Sequence, residues 1–230
     1  MKKLTVLQHT SAEYLGLIED HLEGRRIRFR YIRPFTGAVA IPTLEEVGDG
    51  LVLLGGGPWG SAGERDLPTL AEEQALVRAC LMANKLVLGF GLGAQVLARA
   101  AGGGSAPAPL ACTLGEGFRA SDTALAGYLP ETFPFCRYGR DRPVPPDFAT
   151  ILAHDAQGAP LAFQMGTTAF GFDYHPGIKV AMIEDLIMEF EESPEGAGEA
   201  LAHLRATQTA IEDALVPFMT GLIAETGLMR

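Results

Sequence analysis

The segment Val87-Leu88-Gly89-Phe90-Gly91-Leu92-Gly93-Ala94-Gln95 constrains the fold of this chain more than any other. A short apolar run, residues 85–90, enters a glycine cluster and continues into the helix-compatible run 94–101, which spells strand, tight turn, helix. At such an elbow the central residue takes a strained positive φ, and its side chain stands above the sheet beside a helix N-terminus that favours negative charge. Here the centre is Gly91. An L-residue in such backbone costs on the order of 1–3 kcal/mol, retained only where function needs the side chain. Glycine escapes that strain and brings no reactive atom.

The rest of the chain alternates in the same way. Residues 4–7 read as a buried strand, 14–22 as a helix, 28–32 as a second strand and 50–54 as a third. A helix over 70–82, the central strand 86–90 and a helix opening at 95–101 follow. Parallel strands need such crossovers, so the pattern predicts a doubly wound, mostly parallel α/β sheet with flanking helices. Residues 102–109 are a small-residue loop, and the stretch to about residue 169 reads as a small region of antiparallel strands and turns, with prolines clustered in 142–146. Past Pro176, helices are predicted over 178–191 and from 197 to about 221. In the second, Leu201, Leu204, Gln208, Ile211, Leu215, Phe218 and Leu222 recur at steps of three and four. Interrupted by Pro217 and Gly221, that seam reads as packing on the parent domain rather than a coiled coil, with a homo-oligomer or partner contact as the other reading. The expected organisation is one domain over 1–190 and a helical extension over 191–230 packed on it.

Composition narrows the function classes. A chain of 230 residues, 47% hydrophobic and 20% charged, is long enough for one substantial core. A net charge of −10 argues against a nucleic-acid-binding surface. The basic cluster Arg25, Arg26, Arg28, Arg30 and Arg33 is the local exception and reads as the solvated end of a helix and an edge strand. Three cysteines, Cys80, Cys112 and Cys136, lack any C-x-x-C spacing, which points to free thiols, a reducing compartment and hence the cytoplasm. The N-terminal apolar run is too short for a signal segment, and no run approaches the ~18 residues of a membrane span. His9, His21, His154 and His203 show no metal spacing and read as surface or loop residues, so neither a metal nor a cofactor is expected.

Gly-Phe-Gly-Leu-Gly-Ala-Gln95 resembles the G-x-C-x-G-x-Q elbow of class I glutamine amidotransferases, with Gly91 at the cysteine position. Two further stretches resemble that family in the same order. Leu51-Val-Leu-Leu-Gly-Gly-Gly-Pro58 is similar to its strand and G-G-P loop, and Phe170-Gly-Phe-Asp-Tyr-His-Pro-Gly177 to its G-x-Q-F-H-P-E segment. The likeness spans roughly residues 3–190 and is nearest to small stand-alone members. It implies a flavodoxin-like glutamine amidotransferase fold. It places His175 at the catalytic histidine, Asp173 where relatives carry glutamine, and Gly177 at the orienting glutamate. Glutamine hydrolysis needs a thiolate, a proton-shuttling imidazole and a carboxylate that fixes its tautomer, so the resemblance leaves His175 alone of the three.

Other site roles follow from the same likeness. The N–H groups of Gly57 and Leu92 would form an oxyanion hole, made of backbone donors that side-chain changes leave in place. Gln95 would hold a substrate or cap the elbow helix. Trp59, the lone tryptophan, would wall a pocket for an apolar or aromatic ligand or shield the loop. On a strand, Asp173 and His175 would share a face, so Asp173 would orient the imidazole or bind a cationic group. Cys112 and Cys136 would border the pocket as ordinary cysteines or, less readily, as a migrated thiol. Two functions are open. One is a catalytically degenerate protein that binds a small amide or amino-acid-like ligand, or docks on a synthetase or transferase subunit. The other is a hydrolase or amidotransferase acting on a γ-glutamyl compound through water activated by His175 and Asp173.

Overall fold

Alternation of side chains along the strands sets the layers. In a computed structural model, which describes residues 1–37 and 40–229, the elements run β1 (Lys3–Leu7), α1 (Ile18–Gly24), β2 (Arg28–Ile32), β3 (Gly50–Leu53), α2 (Leu70–Met82), β4 (Leu86–Phe90) and α3 (Leu92–Ala100). They continue as β5 (Gly104–Ala106), β6 (Ala111–Arg119), β7 (Thr132–Gly139), β8 (Arg142–Val144), β9 (Thr150–His154), β10 (Pro160–Met165), β11 (Ala169–Phe172), α4 (Val180–Glu189) and α5 (Ala197–Thr226). Leu4, Val6, Val52, Leu88 and Phe90 point to one face, where α1 and α5 cover them. Leu7, Leu51, Leu53 and Val87 point to the other, under α2 and α3. Helices on both faces of parallel strands give the expected doubly wound architecture.

The main sheet has the order β2-β1-β3-β4-β11-β10-β9-β6-β7. Strands β2, β1, β3, β4 and β11 pair in parallel, and β10, β9, β6 and β7 continue the same sheet in antiparallel fashion. The antiparallel strands therefore extend the central sheet, and only β5 and β8 form a separate ribbon among the described residues. Arg28 and Arg30 lie on the edge strand β2; Arg28 is exposed, whereas Arg30 is half-buried and donates to Thr5 Oγ1 and to the Glu46 carbonyl.

Several helix boundaries differ from the sequence expectation. The first helix begins at Ile18 rather than near residue 14, because Gly16 takes φ +62° and the chain before α1 packs against Gly177. The helix after Pro176 spans Val180–Glu189, and Gln208 of α5 fastens its start: Gln208 Oε1 accepts the Val180 N–H at 3.1 Å and Nε2 donates to the Ile178 carbonyl at 3.2 Å. Helix α5 continues through Pro217 to Thr226. Its Leu215, Phe218, Met219, Leu222 and Ile223 are buried in the core shared with β1, β4 and β11, and the Phe218 ring meets Phe172 edge-on at 5.0 Å. Each such side chain contributes roughly 1.5–3 kcal/mol relative to exposure, enough to hold the helix across a proline.

Candidate functional site

The site collects at the carboxyl ends of the parallel strands, where an open α/β sheet leaves a crevice. Gly91 links β4 to α3 with φ 54° and ψ −114°. Its N–H donates to the Phe172 carbonyl at 2.8 Å, tying the elbow to the end of β11. A Cβ built on Gly91 would meet a single atom, the Gly55 Cα at 3.5 Å, which is ordinary contact. Space for a side chain is present, and backbone strain alone opposes one. Among the described residues no thiol lies within 4 Å of that position. Cys80 is core, Cys136 is buried with its carbonyl accepting the His175 N–H at 3.4 Å, and Cys112 is half-buried on the neighbouring strand.

Gly177 is glycine for a different reason. A Cβ there would lie 2.8 Å from Ile18 Cγ1 and 2.9 Å from both the Ile18 nitrogen and the Leu15 carbonyl. The Leu17 N–H donates to the Gly177 carbonyl at 2.9 Å, so the turn before α1 occupies the volume that a carboxylate at 177 requires.

His175 is buried against Phe90, the residue preceding the elbow glycine, with ring centroids 5.6 Å apart. Its Nε2 lies 2.7 Å from the Tyr14 carbonyl, and its Nδ1 lies 3.1 Å from the Gly177 N–H. A carbonyl accepts and an amide N–H donates, so these partners assign the neutral Nε2–H tautomer and leave neither nitrogen free. Burial pushes the imidazole pKa down to about 4, with the Tyr14 carbonyl opposing it.

Asp173 does not face this ring. The regular strand ends at Phe172, so the alternation that would align residues 173 and 175 lapses. Its Oδ1 accepts from Arg137 Nε at 3.1 Å and its Oδ2 from Arg142 Nε at 2.8 Å, while Arg142 also reaches Asp155 at 3.0 Å. The carboxylate holds two guanidiniums in a buried polar network and orients no imidazole.

The expected oxyanion-hole donor at Gly57 already has a partner. Its N–H donates to Glu13 Oε2 at 2.6 Å, and Glu13 Oε1 rests on Gly55 where a Cβ would collide with it. Glu13 is 3% exposed. Burial raises its pKa to about 7, against the Gly57 N–H and the charge on His9, with Glu189 pushing it up further. An internal carboxylate thus occupies a donor of the kind that stabilises a developing oxyanion.

His9, expected at the surface or in a loop, is buried beneath the same glycine loop. Its Nδ1 lies 3.0 and 3.1 Å from the carbonyls of Leu54 and Gly55, and its Nε2 lies 2.9 Å from Glu73 Oε2. Both nitrogens therefore donate, which makes the ring an imidazolium. Burial works against that charge, but the Glu73 carboxylate holds the pKa above the usual histidine range. Thr69 completes the group by donating to Glu73 Oε1 at 2.7 Å.

The remaining predicted residues position loops. Gln95 donates from Nε2 to the Arg140 carbonyl at 2.8 Å and accepts from Ser61 Oγ at 2.7 Å, fastening two loops to α3 rather than capping it. The Leu92 side chain packs on Gly56, and the Gly93 N–H donates to the Leu54 carbonyl at 3.2 Å. Trp59 follows the glycine loop, and Arg65 stacks on its indole at 4.9 Å. Phe190 and Leu186 cover Gly57, Glu189 accepts the N–H groups of Ser11 and Ala12 at 3.2 and 3.1 Å, and Glu192 pairs with both Arg65 and Arg140. Glu13, His9 and Glu73 escape a reading of the sequence because residues 13, 57 and 73 meet through tertiary packing; the available hint is a polar stretch, residues 8–11, directly after a buried parallel strand. Among the described residues no group of three or more His, Cys, Asp or Glu is placed to hold a metal, and no helix is long and apolar enough to cross a membrane.

No protein-family model matches the chain. A glutamine amidotransferase-like protein of Salmonella typhimurium, YfeJ, is 27% identical over 194 residues, covering 80% of this chain and 79% of the relative. Two solved glutamine amidotransferases superpose over nearly the full length. The enzyme from Methylobacillus flagellatus has a TM-score of 0.82 at 21% identity, covering 98% of this chain and 95% of its own. The enzyme from Thermotoga maritima has a TM-score of 0.79 at 22% identity, covering 98% of each chain. More distantly, with a TM-score of 0.58 at 20% identity over 91% of this chain and 98% of its own, the neighbours include a protein from Thermoplasma acidophilum described as one of the subunits of GMP synthase. The chain has the glutamine amidotransferase-like fold with a long C-terminal helix, and the proteins it is similar to over most of its length are glutamine amidotransferase-like.

Proposed function

We propose that this protein is a catalytically degenerate glutamine amidotransferase-like module that does not hydrolyse glutamine through a thiolate and acts by docking on a partner enzyme of the synthetase or transferase class. The observation that carries the reading is the state of His175. Acyl transfer by a thiolate requires a base with a free nitrogen beside the nucleophile, and here both nitrogens are bonded to backbone while position 91 has no side chain. Glu13 on the Gly57 N–H supports the same conclusion, because the donor that would bind a substrate carbonyl already holds a carboxylate. That occupancy also favours the docking role over binding of a small amide in this niche. The likeness to a protein described as belonging to GMP synthase supports a role within a larger enzyme. Water activation by His175 and Asp173 finds no support, since neither group is free to take a proton.

The test restores the missing thiol. Gly91→Cys should fold, at a cost of about 1–3 kcal/mol for a non-glycine residue in this backbone, and should present a thiol that reacts with a disulfide reagent. Ammonia release from glutamine and from a panel of γ-glutamyl amides should stay at the uncatalysed background for both the native protein and the variant. Turnover by Gly91→Cys would overturn the assignment of His175 as a locked group, and turnover by the native protein that disappears in His175→Ala would establish the water-activating alternative.

A further inference from the structure

Beside the filled niche, one strand over, lies a cavity of about 270 Å³ lined by His9, Pro34, Phe35, Leu67, Pro68, Trp59 and Thr69 with Gly37. Its walls follow the carboxyl ends of β1, β2 and β3. In the order β2-β1-β3 the chain leaves β1 toward one side to reach β2 and returns past it to β3, so the strand order reverses between β1 and β3. That reversal is where an open α/β sheet holds its ligands.

The lining has the chemistry of a stacking site. Trp59 and Phe35 give it two aromatic surfaces, and Phe35 is 45% exposed, a large apolar ring left uncovered. Arg65 stacks on the Trp59 indole without lining the cavity, which fixes the ring in place before any ligand arrives. Of the buried His9–Glu73 ion pair only His9 lines the cavity, and with both its ring nitrogens engaged by protein partners it offers an imidazole face rather than a charged hook. At the rim α2 begins just after Thr69, whose side chain caps no N–H of the helix, so first-turn N–H groups are left to donate to a ring edge carrying lone pairs; of the two acids in that turn, Glu72 and Glu73, the second is paired with His9. We infer that this cavity binds a planar heteroaromatic molecule the size of a nucleobase, held between Trp59 and Phe35 with an acceptor edge toward the start of α2.

Trp59 is the sole tryptophan of the chain, so its fluorescence reports this cavity directly. Titration of the full chain with adenosine and with nicotinamide should give a saturable change in Trp59 emission for at least one of these two lone-pair-bearing probes, with half-saturation near or below about 1 mM, as expected for one stacked ring. Indole, which lacks an acceptor edge and emits in the tryptophan band, is followed by calorimetry and should bind more weakly. Phe35→Ala removes an exposed ring and leaves the core intact; it should weaken binding about tenfold, read by calorimetry as well as by fluorescence. Linear, non-saturating quenching by both adenosine and nicotinamide, or binding that is unchanged in Phe35→Ala, would overturn the inference. Neither outcome bears on ammonia release, so this inference and the non-hydrolytic reading fail separately.

Discussion

Gly177→Glu, which would place a carboxylate two residues after His175, should destabilise the protein by about 3–5 kcal/mol, the range for an overpacked buried site with an unpaired charge. The side chain would be driven into the Ile18 nitrogen and the Leu15 carbonyl, both within 2.9 Å of its first carbon, and into a turn that a backbone hydrogen bond fastens at Leu17. For a domain of this size the loss is a melting temperature lower by roughly 10 °C, readable by thermal denaturation followed by circular dichroism. Gly177→Ala should show much of the same loss, because Cβ itself clashes. A Gly177→Glu protein as stable as the native one would mean that the turn before α1 yields and leaves room for a side chain at 177.

The second large effect is a pH dependence centred on Glu13. Its pKa is about 7 in the folded protein and near 4.5 for an unperturbed glutamate, so the folded state binds a proton more tightly than the unfolded chain. For a raised carboxylate, the stabilising contribution is fully present below pH 4.5 and is lost as the pH climbs through 7. Glu13→Gln keeps an acceptor for the Gly57 N–H and removes the titration. The variant should therefore gain stability relative to the native protein by ~3 kcal/mol between pH 4.5 and 8, from chemical denaturation at each pH. Taking the difference between the two proteins cancels the opposing change at His175, whose lowered pKa favours folding as the pH rises from about 4 through 6.5. Parallel curves for native and variant would place the Glu13 carboxyl in solvent, away from the Gly57 amide.

The layers of the fold are legible in the sequence because its parallel strands are short, nearly continuous apolar runs, such as residues 51–54 and 86–88, the mark of strands covered on both faces, and helix-length segments alternate with them. The elbow is legible because a glycine cluster between an apolar run and a helical run has few other meanings. The occupants of the site are not. Glu13 and Gly57 are 44 residues apart, and nothing in either neighbourhood announces that a carboxylate will fold onto that amide. Asp173 departs from the strand pattern because the regular pairing ends at Phe172, after which two arginines from β7 and β8 take the side chain. His9 reads as a surface residue because a lone histidine after a strand carries no sign of its partner, and Glu73 arrives from the first turn of α2. Gly177 can be read as a lost carboxylate from the motif, but that the backbone of residues 15–18 excludes any side chain there is a property of packing.

His175 is held neutral with both nitrogens spent, and the non-hydrolytic reading depends on that state. Nitrogen-15 NMR of the ring, assigned by difference with His175→Gln, tests it without any substrate. A locked ring gives an Nε2–H tautomer whose shifts stay constant from pH 5 to pH 9. A resonance for residue 175 that titrates near the ordinary histidine value of about 6.5, or one showing the proton on Nδ1, would contradict it.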